Sequence, residues 1–114
     1  MILWKKDSDL YFTVALKDEN KIPINPIAKS FIYRFYTTNI NAAKFASYDI
    51  LTNTFTNCKL NDDDPNKIDI FIEDPNFNVG RLMVDVCIRT LNDSYEDGYY
   101  DVWMEVKSDI QIIK

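Results

Sequence analysis

Acidic side chains are the residues with the clearest potential for chemistry. They fall in two short segments, NDDDPNKID at 61–69 and NDSYEDGYYD at 92–101: Asp62, Asp63, Asp64, Asp69, Asp93, Glu96, Asp97 and Asp101. Clustered carboxylates suit Ca²⁺, which takes about six to eight oxygen ligands, or acid–base work on a glycosidic bond. Neither segment has EF-hand spacing, and no two acids are shown to face each other across a cleft. Solvated turns are the simpler interpretation, and calcium binding by loops 61–66 and 92–97 stays open.

The residue types that are missing restrict other reactions. The chain has no histidine, which removes Ser-His and Cys-His nucleophiles, His-based metal sites and the commonest general base. It has two glycines and no G-x-S-x-G, Walker or dinucleotide-binding pattern. We therefore predict a protein that is not an enzyme and that uses no cofactor, no metal and no small-molecule ligand.

The two cysteines are predicted to be free thiols. In RLMVDVCIRTL the apolar face falls on the even positions 82–88, so Cys87 points to the other face. Cys58 shares a side with Leu60 and is expected to point inward. Side chains on opposite faces cannot reach each other for a disulfide, and free thiols agree with assembly in a reducing cytosol.

Charge and composition exclude several classes of partner. The net charge is −5, and the basic residues are scattered, with Lys5-Lys6 as the only tight pair. Phosphate backbones and membrane surfaces need clustered Lys and Arg, so we predict no nucleic acid and no membrane as partner. No apolar run approaches the ~18 residues of a membrane span, and no N-terminal signal is expected. Length and ordinary composition predict one globular domain over 1–114.

Alternation of apolar and polar residues recurs along the chain and predicts β-strands. The clearest inward-facing sets come from DLYFTVALKD, SFIYRFYTT and KIDIFIED: Leu10, Phe12, Val14, Leu16, Phe31, Tyr33, Phe35, Ile68, Ile70 and Ile72. AKFASYDIL and TFTNCKL are weaker strands, and NINAAKFASYDI has room for a single helical turn. DPNFNVG, over 74–80, is predicted to turn into a long strand at 80–90, and DIQIIK gives the last strand. About seven to nine short strands indicate an antiparallel β-sandwich, with a small barrel as the neighbouring possibility.

Exposed aromatic residues are the candidates for binding. In the strand 99–106 the apolar positions Tyr100, Val102, Met104 and Val106 are expected inside, which places a tryptophan outside between two acids. The same parity predicts further outward or partly exposed side chains, and together they form our candidate protein interface: Trp4, Arg34, Tyr36, Tyr99 and Trp103. Such enrichment in Trp, Tyr and Arg is typical of protein–protein interfaces. The alternative is that each aromatic ring only covers its cross-strand neighbours.

A first resemblance comes from EDGYYDV, which is similar to the tyrosine corner of immunoglobulin-like domains. The resemblance implies that Gly98 and Tyr100 mark the corner and that Val102 stands where the strand-F cysteine normally lies. Three features depart from the pattern: Glu96 replaces the usual aspartate, no cysteine bridges the sheets, and strand C has no clear tryptophan.

The whole chain also resembles the immunoglobulin-like modules of tailed-phage virions, such as the N-terminal domains of upper-baseplate proteins. DLYFTVALKDENKIPINP, FIYRFYTT and the segment from VGRLMVDV to SDIQII carry this likeness. In this register the strand 80–90 forms a long hairpin with 99–106, and SDIQII continues the last strand after a bulge near Lys107-Ser108. The two registers label the strands differently, and the sequence leaves both open. Frequent Ile, Asn, Lys, Tyr and Phe indicate an AT-rich genome, and crAss-like phages of gut Bacteroidales carry small proteins of this appearance.

The resemblance implies a structural role in a virion assembled in the host cytoplasm. Many copies would sit on the tail, neck, baseplate or capsid and contact other virion proteins and one another. The alternative is a host-encoded, immunoglobulin-like module on a bacterial surface that binds carbohydrate or protein. That alternative requires an export route and an exposed aromatic platform.

Overall fold

Alternating β-branched and aromatic residues give the chain an almost entirely β structure. The computed structural model describes residues 1–73 and 75–114. Within them it has eleven strands: β1 Ile2–Lys5, β2 Leu10–Ala15, β3 Ser30–Tyr36, β4 Lys44–Asp49, β5 Thr54–Thr56, β6 Cys58–Leu60, β7 Lys67–Ile72, β8 Gly80–Arg81, β9 Met83–Leu91, β10 Tyr99–Val106 and β11 Ile110–Ile113. A single 3₁₀ turn, Ile40–Ala42, lies in the segment where one helical turn was expected. The turn predicted over 74–80 begins at Asp74, which lies outside the described residues.

Two sheets form the layers of a sandwich. The larger has the strand order β10-β9-β3-β4-β5 and the smaller has β2-β7-β6, and all pairs in both are antiparallel. A third, small sheet, β1-β11-β8, continues one end of the larger sheet. In immunoglobulin variable-type lettering the first order corresponds to G-F-C-C′-C″ and the second to B-E-D. The predicted all-β antiparallel sandwich is therefore confirmed, with eleven strands in the described residues where about seven to nine were expected.

The core lies between the two sheets and uses the predicted inward positions. Leu10, Phe31, Phe35, Ile68 and Ile70 are almost completely buried. The rings of Phe12 and Phe35 meet edge to face across the layers, with centroids 5.5 Å apart. Burying each such side chain stabilises the fold by about 1.5–3 kcal/mol before conformational entropy is counted, so period-two alternation on both sheets is the main source of stability.

One lateral edge of the sandwich is closed by the chain itself. TFTNCKL, predicted as one strand, splits at Asn57, because β5 belongs to the larger sheet and β6 to the smaller. Asn57 adopts a positive φ of 56°, which asparagine tolerates better than most residues. Its Nδ2 donates to the Phe45 carbonyl oxygen at 2.9 Å, and its carbonyl oxygen accepts from the Phe71 N–H at 3.0 Å. The chain therefore crosses between the sheets in one residue.

The N-terminal strand was not predicted, and it determines the position of Trp4. β1 pairs in parallel with β11, with Trp4 opposite the buried Ile112. The indole packs partly buried against the core, and its Nε1 donates to the Asp9 carbonyl oxygen at 2.9 Å. A four-residue strand whose partner lies about a hundred positions away leaves little local signal. Trp4 is therefore partly exposed, as predicted, and the buried part of its indole contacts the core.

The C-terminal half adopts the long-hairpin register. β9 and β10 are paired along their length, with Val84 opposite Val106 at one end and Leu91 opposite Tyr99 at the other. β8 and β11 prolong the hairpin beyond the break at 107–109. The expected bulge near Lys107-Ser108 is therefore confirmed, and the tyrosine-corner register is wrong. Leu82, between β8 and β9, is fully buried at the corresponding break.

Tyr100 and Gly98 accordingly have other roles. Gly98, at φ 82°, ends the hairpin loop in a conformation that suits glycine. Tyr100 was expected in the core but is 46% exposed and lies against the Tyr95 ring, with centroids 5.7 Å apart. It lies at the hairpin end, where Leu91 and Tyr95 are also exposed, so its side chain has no opposing sheet to pack against.

Candidate protein-binding face

The outward side chains of the larger sheet form one surface, which we call the outer face. It comprises the residues that alternate with the core positions on β3, β4, β9 and β10: Ile32, Arg34, Tyr36, Phe45, Ser47, Asp85, Cys87, Arg89, Tyr99, Asp101, Trp103 and Glu105. The pairing register orders them in rows across the strands. One row runs Phe45, Arg34, Asp85, Glu105, and the next runs Ser47, Ile32, Cys87, Trp103.

Arg34 is held between an acid and a ring. Its Nε and Nη2 donate to Oδ2 of Asp85 at 3.1 and 2.7 Å. Its guanidinium carbon lies 4.2 Å from the centroid of the Trp103 ring, within the range of a cation–π contact. Both charged side chains are partly buried, so this ion pair is less screened by solvent than a fully exposed one. The predicted residues Arg34 and Trp103 are thus brought into direct contact.

A second arginine covers the hairpin end of the face. Arg89 donates to Oδ1 of Asp101 at 2.9 Å and to Oδ2 of Asp97 at 2.7 Å, and it lies 4.1 Å over the Tyr99 ring. The hydrogen bond to Asp101 is the main reason that the pKa of Arg89 is raised. Tyr99, whose hydroxyl donates to Asp49 at 3.3 Å, is only 9% exposed. Tyr99 faces outward as predicted, but Arg89 covers it, so it offers little surface to a partner.

The open part of the outer face is apolar. Trp103 is 44% exposed and Phe45 is 47% exposed, and both lie beside the anchored Arg34. Tyr36 is half-buried at the end of β3, opposite Met83. Phe45 was not predicted, although it lies opposite Arg34, because the weak alternation of β4 did not reveal which of its sides faces outward.

Cys87 lies at the centre of the outer face and is completely buried. The register sets it between Ile32 and Trp103. Burial, followed by the negative charge of Asp101, raises the pKa of its thiol to about 11. The outward parity was predicted correctly, but the covering side chains come from neighbouring strands and gave no signal in the local sequence.

Cys58 lies in the other predicted environment, inside the core. Its Sγ donates to the Ser47 carbonyl oxygen at 3.3 Å, and burial raises its pKa to about 11. Both cysteines are free, which confirms the prediction of two unpaired thiols.

The acidic loops use several of their side chains to shape turns. Asn61 Oδ1 accepts from the N–H groups of Asp63 and Asp64, and Asp64 Oδ1 accepts from Asn66. In the second loop Asp97 Oδ1 accepts from the N–H of Tyr99. These contacts are Asx-type turns, which compact a loop without an ion. Over 1–73 and 75–114, no group of three or more His, Cys, Asp or Glu residues is arranged to hold a metal.

Asp69 is the most enclosed acid described, and its environment was not predicted. It lies on the outward side of β7 in the smaller sheet but is only 4% exposed. It accepts hydrogen bonds from Thr13 at 2.7 Å, Asn61 at 2.9 Å and Tyr11 at 3.3 Å. The bond from Asn61 and then that from Thr13 hold its pKa below the ordinary value. All three hydrogen-bond partners are neutral, and the positive charge of Lys59, opposite Asp69 on β6, adds a smaller lowering of its pKa.

Comparison with protein-family models, with curated proteins and with solved structures found no match to this chain. In the part of the chain that the structure describes, no helix is both long and apolar enough to cross a membrane.

Proposed function

We propose that this chain is a non-enzymatic structural module of a phage virion, and that it docks on neighbouring virion subunits through its outer face. The observation that carries the proposal is the exposed pair Trp103 and Phe45 on either side of the anchored Arg34. The resemblance of the chain to immunoglobulin-like virion modules supports the virion as the assembly in question.

The chemistry of the face suits binding to protein. Aromatic residues and arginine supply most hot spots of protein interfaces, and their rigid rings lose little conformational entropy when buried. Arg34 is already fixed by Asp85 and Trp103, so less rotamer freedom remains to be lost on docking. The acids Glu105 and Asp101 flank the patch and give it a polar rim.

A modest patch is sufficient when a module is repeated. Many weak contacts made by copies fixed on one particle add up to strong attachment, and closed symmetry brings the same patch to the same partner each time. Other virion proteins and copies of this chain are therefore the partners we propose, with assembly in the host cytoplasm.

The carbohydrate-binding alternative requires an aromatic ring that is open for stacking. The Arg34 guanidinium occupies one face of Trp103, and Arg89 covers Tyr99 in the same way. Both arrangements reduce the ring surface available to a sugar, so we retain protein docking as the single proposed role.

The test is incorporation into particles. Mass spectrometry should find the chain in purified virions of the phage that encodes it, and its absence would contradict the proposal. In a complementation experiment, we expect Trp103→Ala to reduce the incorporated amount by about tenfold or more, because truncated hot spots commonly cost at least 2 kcal/mol. Phe71→Ala is the matched control, because Phe71 is 40% exposed on the opposite sheet and should leave incorporation unchanged. Equal incorporation of all variants would refute docking through the outer face.

A further inference from the structure

The two lateral edges of the sandwich differ. On one side the chain crosses from β5 to β6 through Asn57 and closes the gap between the sheets. On the other side the terminal strands are β2 of the smaller sheet and β10 of the larger sheet, and no described strand pairs with their free sides. The sandwich is therefore closed along one edge and open along the other.

An apolar groove of about 480 Å³ lies along the open edge. Its lining includes inward-facing side chains of β2, β3, β9 and β10: Phe12, Val14, Tyr33, Val86, Met104 and Val106. By sheet parity these are core positions, yet Phe12, Val14, Met104 and Val106 are only partly buried. Charged residues, Lys17, Asp18 and Glu105 among them, also contribute to the lining and carry both signs.

Both edge strands lack the usual protection against strand addition. Natural edges are blocked by lysine, proline, inward-pointing charge or very short length. β2 reads LYFTVA and carries no charge, and β10 reads YYDVWMEV, with both of its acids on the outer face and no lysine or proline. By contrast, the strands at the closed edge, β5 and β6, have three residues each. In the described part of the chain, no loop backbone hydrogen-bonds to 10–15 or 100–106.

A strand placed beside the free edge of β10 would continue the pairing that β1 already makes with β11. β1 lies beside β11 in parallel, and β11 prolongs β10 after the break at 107–109. A strand added to β10 would therefore lie in line with β1 and extend a pairing geometry that the fold already uses.

We propose that the groove receives an extended segment of a partner protein, which adds as a strand to the free edge of β10. Alternate side chains of that segment enter between the sheets, and the lining requires these to be apolar and of about valine to leucine size. The free backbone edge selects an extended chain, because only a strand satisfies its N–H and C=O groups in series. β10 has eight residues, so a segment of about five to seven residues is long enough to use it.

A second copy of this chain is a poorer occupant. Its own edge strands already place their inward side chains in its own sandwich, so it could pair with β10 but could not fill the groove. The groove lies on the core side of β10, whereas Trp103 lies on the outer side, so this inference is independent of docking through the outer face.

The probe is the capped heptapeptide Lys-Val-Thr-Val-Thr-Val-Lys, added to the complete chain and followed by amide NMR and hydrogen exchange. We expect shift changes concentrated in β10 and β2, and new exchange protection at alternate amides of β10. The first control peptide has the same composition with its valines adjacent. The second carries N-methyl groups on the amides that would pair with β10, and we expect it to bind at least about tenfold more weakly because several hydrogen bonds are lost.

Variants of the chain complete the test. Met104→Glu should abolish peptide binding while Met104→Leu retains it, and Phe71→Ala, on the far sheet surface, should leave it unchanged. Equal binding of the N-methylated peptide would overturn strand addition without depending on the folding of any variant. The proposal is also overturned if no shifts occur at about 1 mM peptide, or if β10 amides become protected with rising protein concentration alone, which would identify a second copy as the occupant.

Discussion

The Arg34 guanidinium carbon lies 4.2 Å from the centroid of the Trp103 ring, while its Nη2 lies 2.7 Å from Asp85. This relationship explains why a tryptophan stands among carboxylates on the polar side of β10. The ring is a partner for the cation, and the cation is oriented by an acid on the strand between them. Trp103 therefore combines an internal contact with a large remaining exposed surface.

The contact predicts a measurable coupling between the two residues. In a double-mutant cycle of Arg34→Ala and Trp103→Ala, we expect a coupling of about 0.5–1 kcal/mol in the free energy of unfolding, measured by urea denaturation. The exposed pair Lys59–Asp62, at 3.8 Å, is the control and should couple by about 0.5 kcal/mol or less. If the two cycles gave the same coupling energy, the contact between Arg34 and the Trp103 ring would add no more to stability than an exposed ion pair does.

The two tryptophans should differ in their effect on stability. Trp4 packs against the core, so Trp4→Ala is expected to lower the free energy of unfolding by about 2–4 kcal/mol. Trp103 is half exposed, so Trp103→Ala is expected to cost about 1 kcal/mol. Thermal and urea denaturation of both variants would check the order, and a larger loss at Trp103 would show that its main role lies in the fold.

Thiol reactivity should report the cover over Cys87. Both thiols are buried with pKa values raised to about 11, so both should react slowly with iodoacetamide at neutral pH. Trp103→Ala should speed alkylation of Cys87, because the register places the ring beside it, and should leave Cys58 unchanged as an internal control. Peptide mapping by mass spectrometry distinguishes the two sites, and equal acceleration at both would indicate general loosening of the fold.

Acid should weaken the fold partly through Asp69. Its folded-state pKa is lowered, so its contribution is fully present above the unfolded value of about 3.9 and is lost as pH falls through the lower folded-state value. Asp69→Asn should therefore flatten the fall in stability below about pH 4 relative to the native chain. Asp62→Asn, at a highly exposed side chain, should leave the slope unchanged. An Asp69 carboxyl that titrates by NMR at or above the ordinary value would contradict the described network.

Much of the fold follows from period-two alternation, and the exceptions have physical causes. Phe31, Tyr33 and Phe35 were placed correctly because β3 lies inside a sheet and its two faces differ strongly. Alternation gave the correct sides for Tyr99 and Tyr100 but the wrong burial, because burial at a hairpin end depends on what covers each side. Arg89 covers the outward Tyr99, while no sheet faces the inward Tyr100.

The candidate site depended on information that a single strand does not contain. Arg34 and Trp103 were both predicted on the outward side, but their contact requires β9 to lie between β3 and β10 in one register. The same register buries Cys87, and the sheet crossing at Asn57 closes one edge while the other stays open. Local patterns define faces, whereas the long-range pairing of strands decides which residues on a face meet.

Hydroxyl-radical footprinting of the free chain and of the chain within purified particles would locate the docking surface directly. We expect oxidation of Trp103 and Phe45 to fall by about tenfold on assembly, as for side chains buried at the centre of an interface. Phe71, on the opposite sheet, should keep its reactivity. Equal oxidation of Trp103 in both states, with protection elsewhere on the molecule, would contradict docking through the outer face.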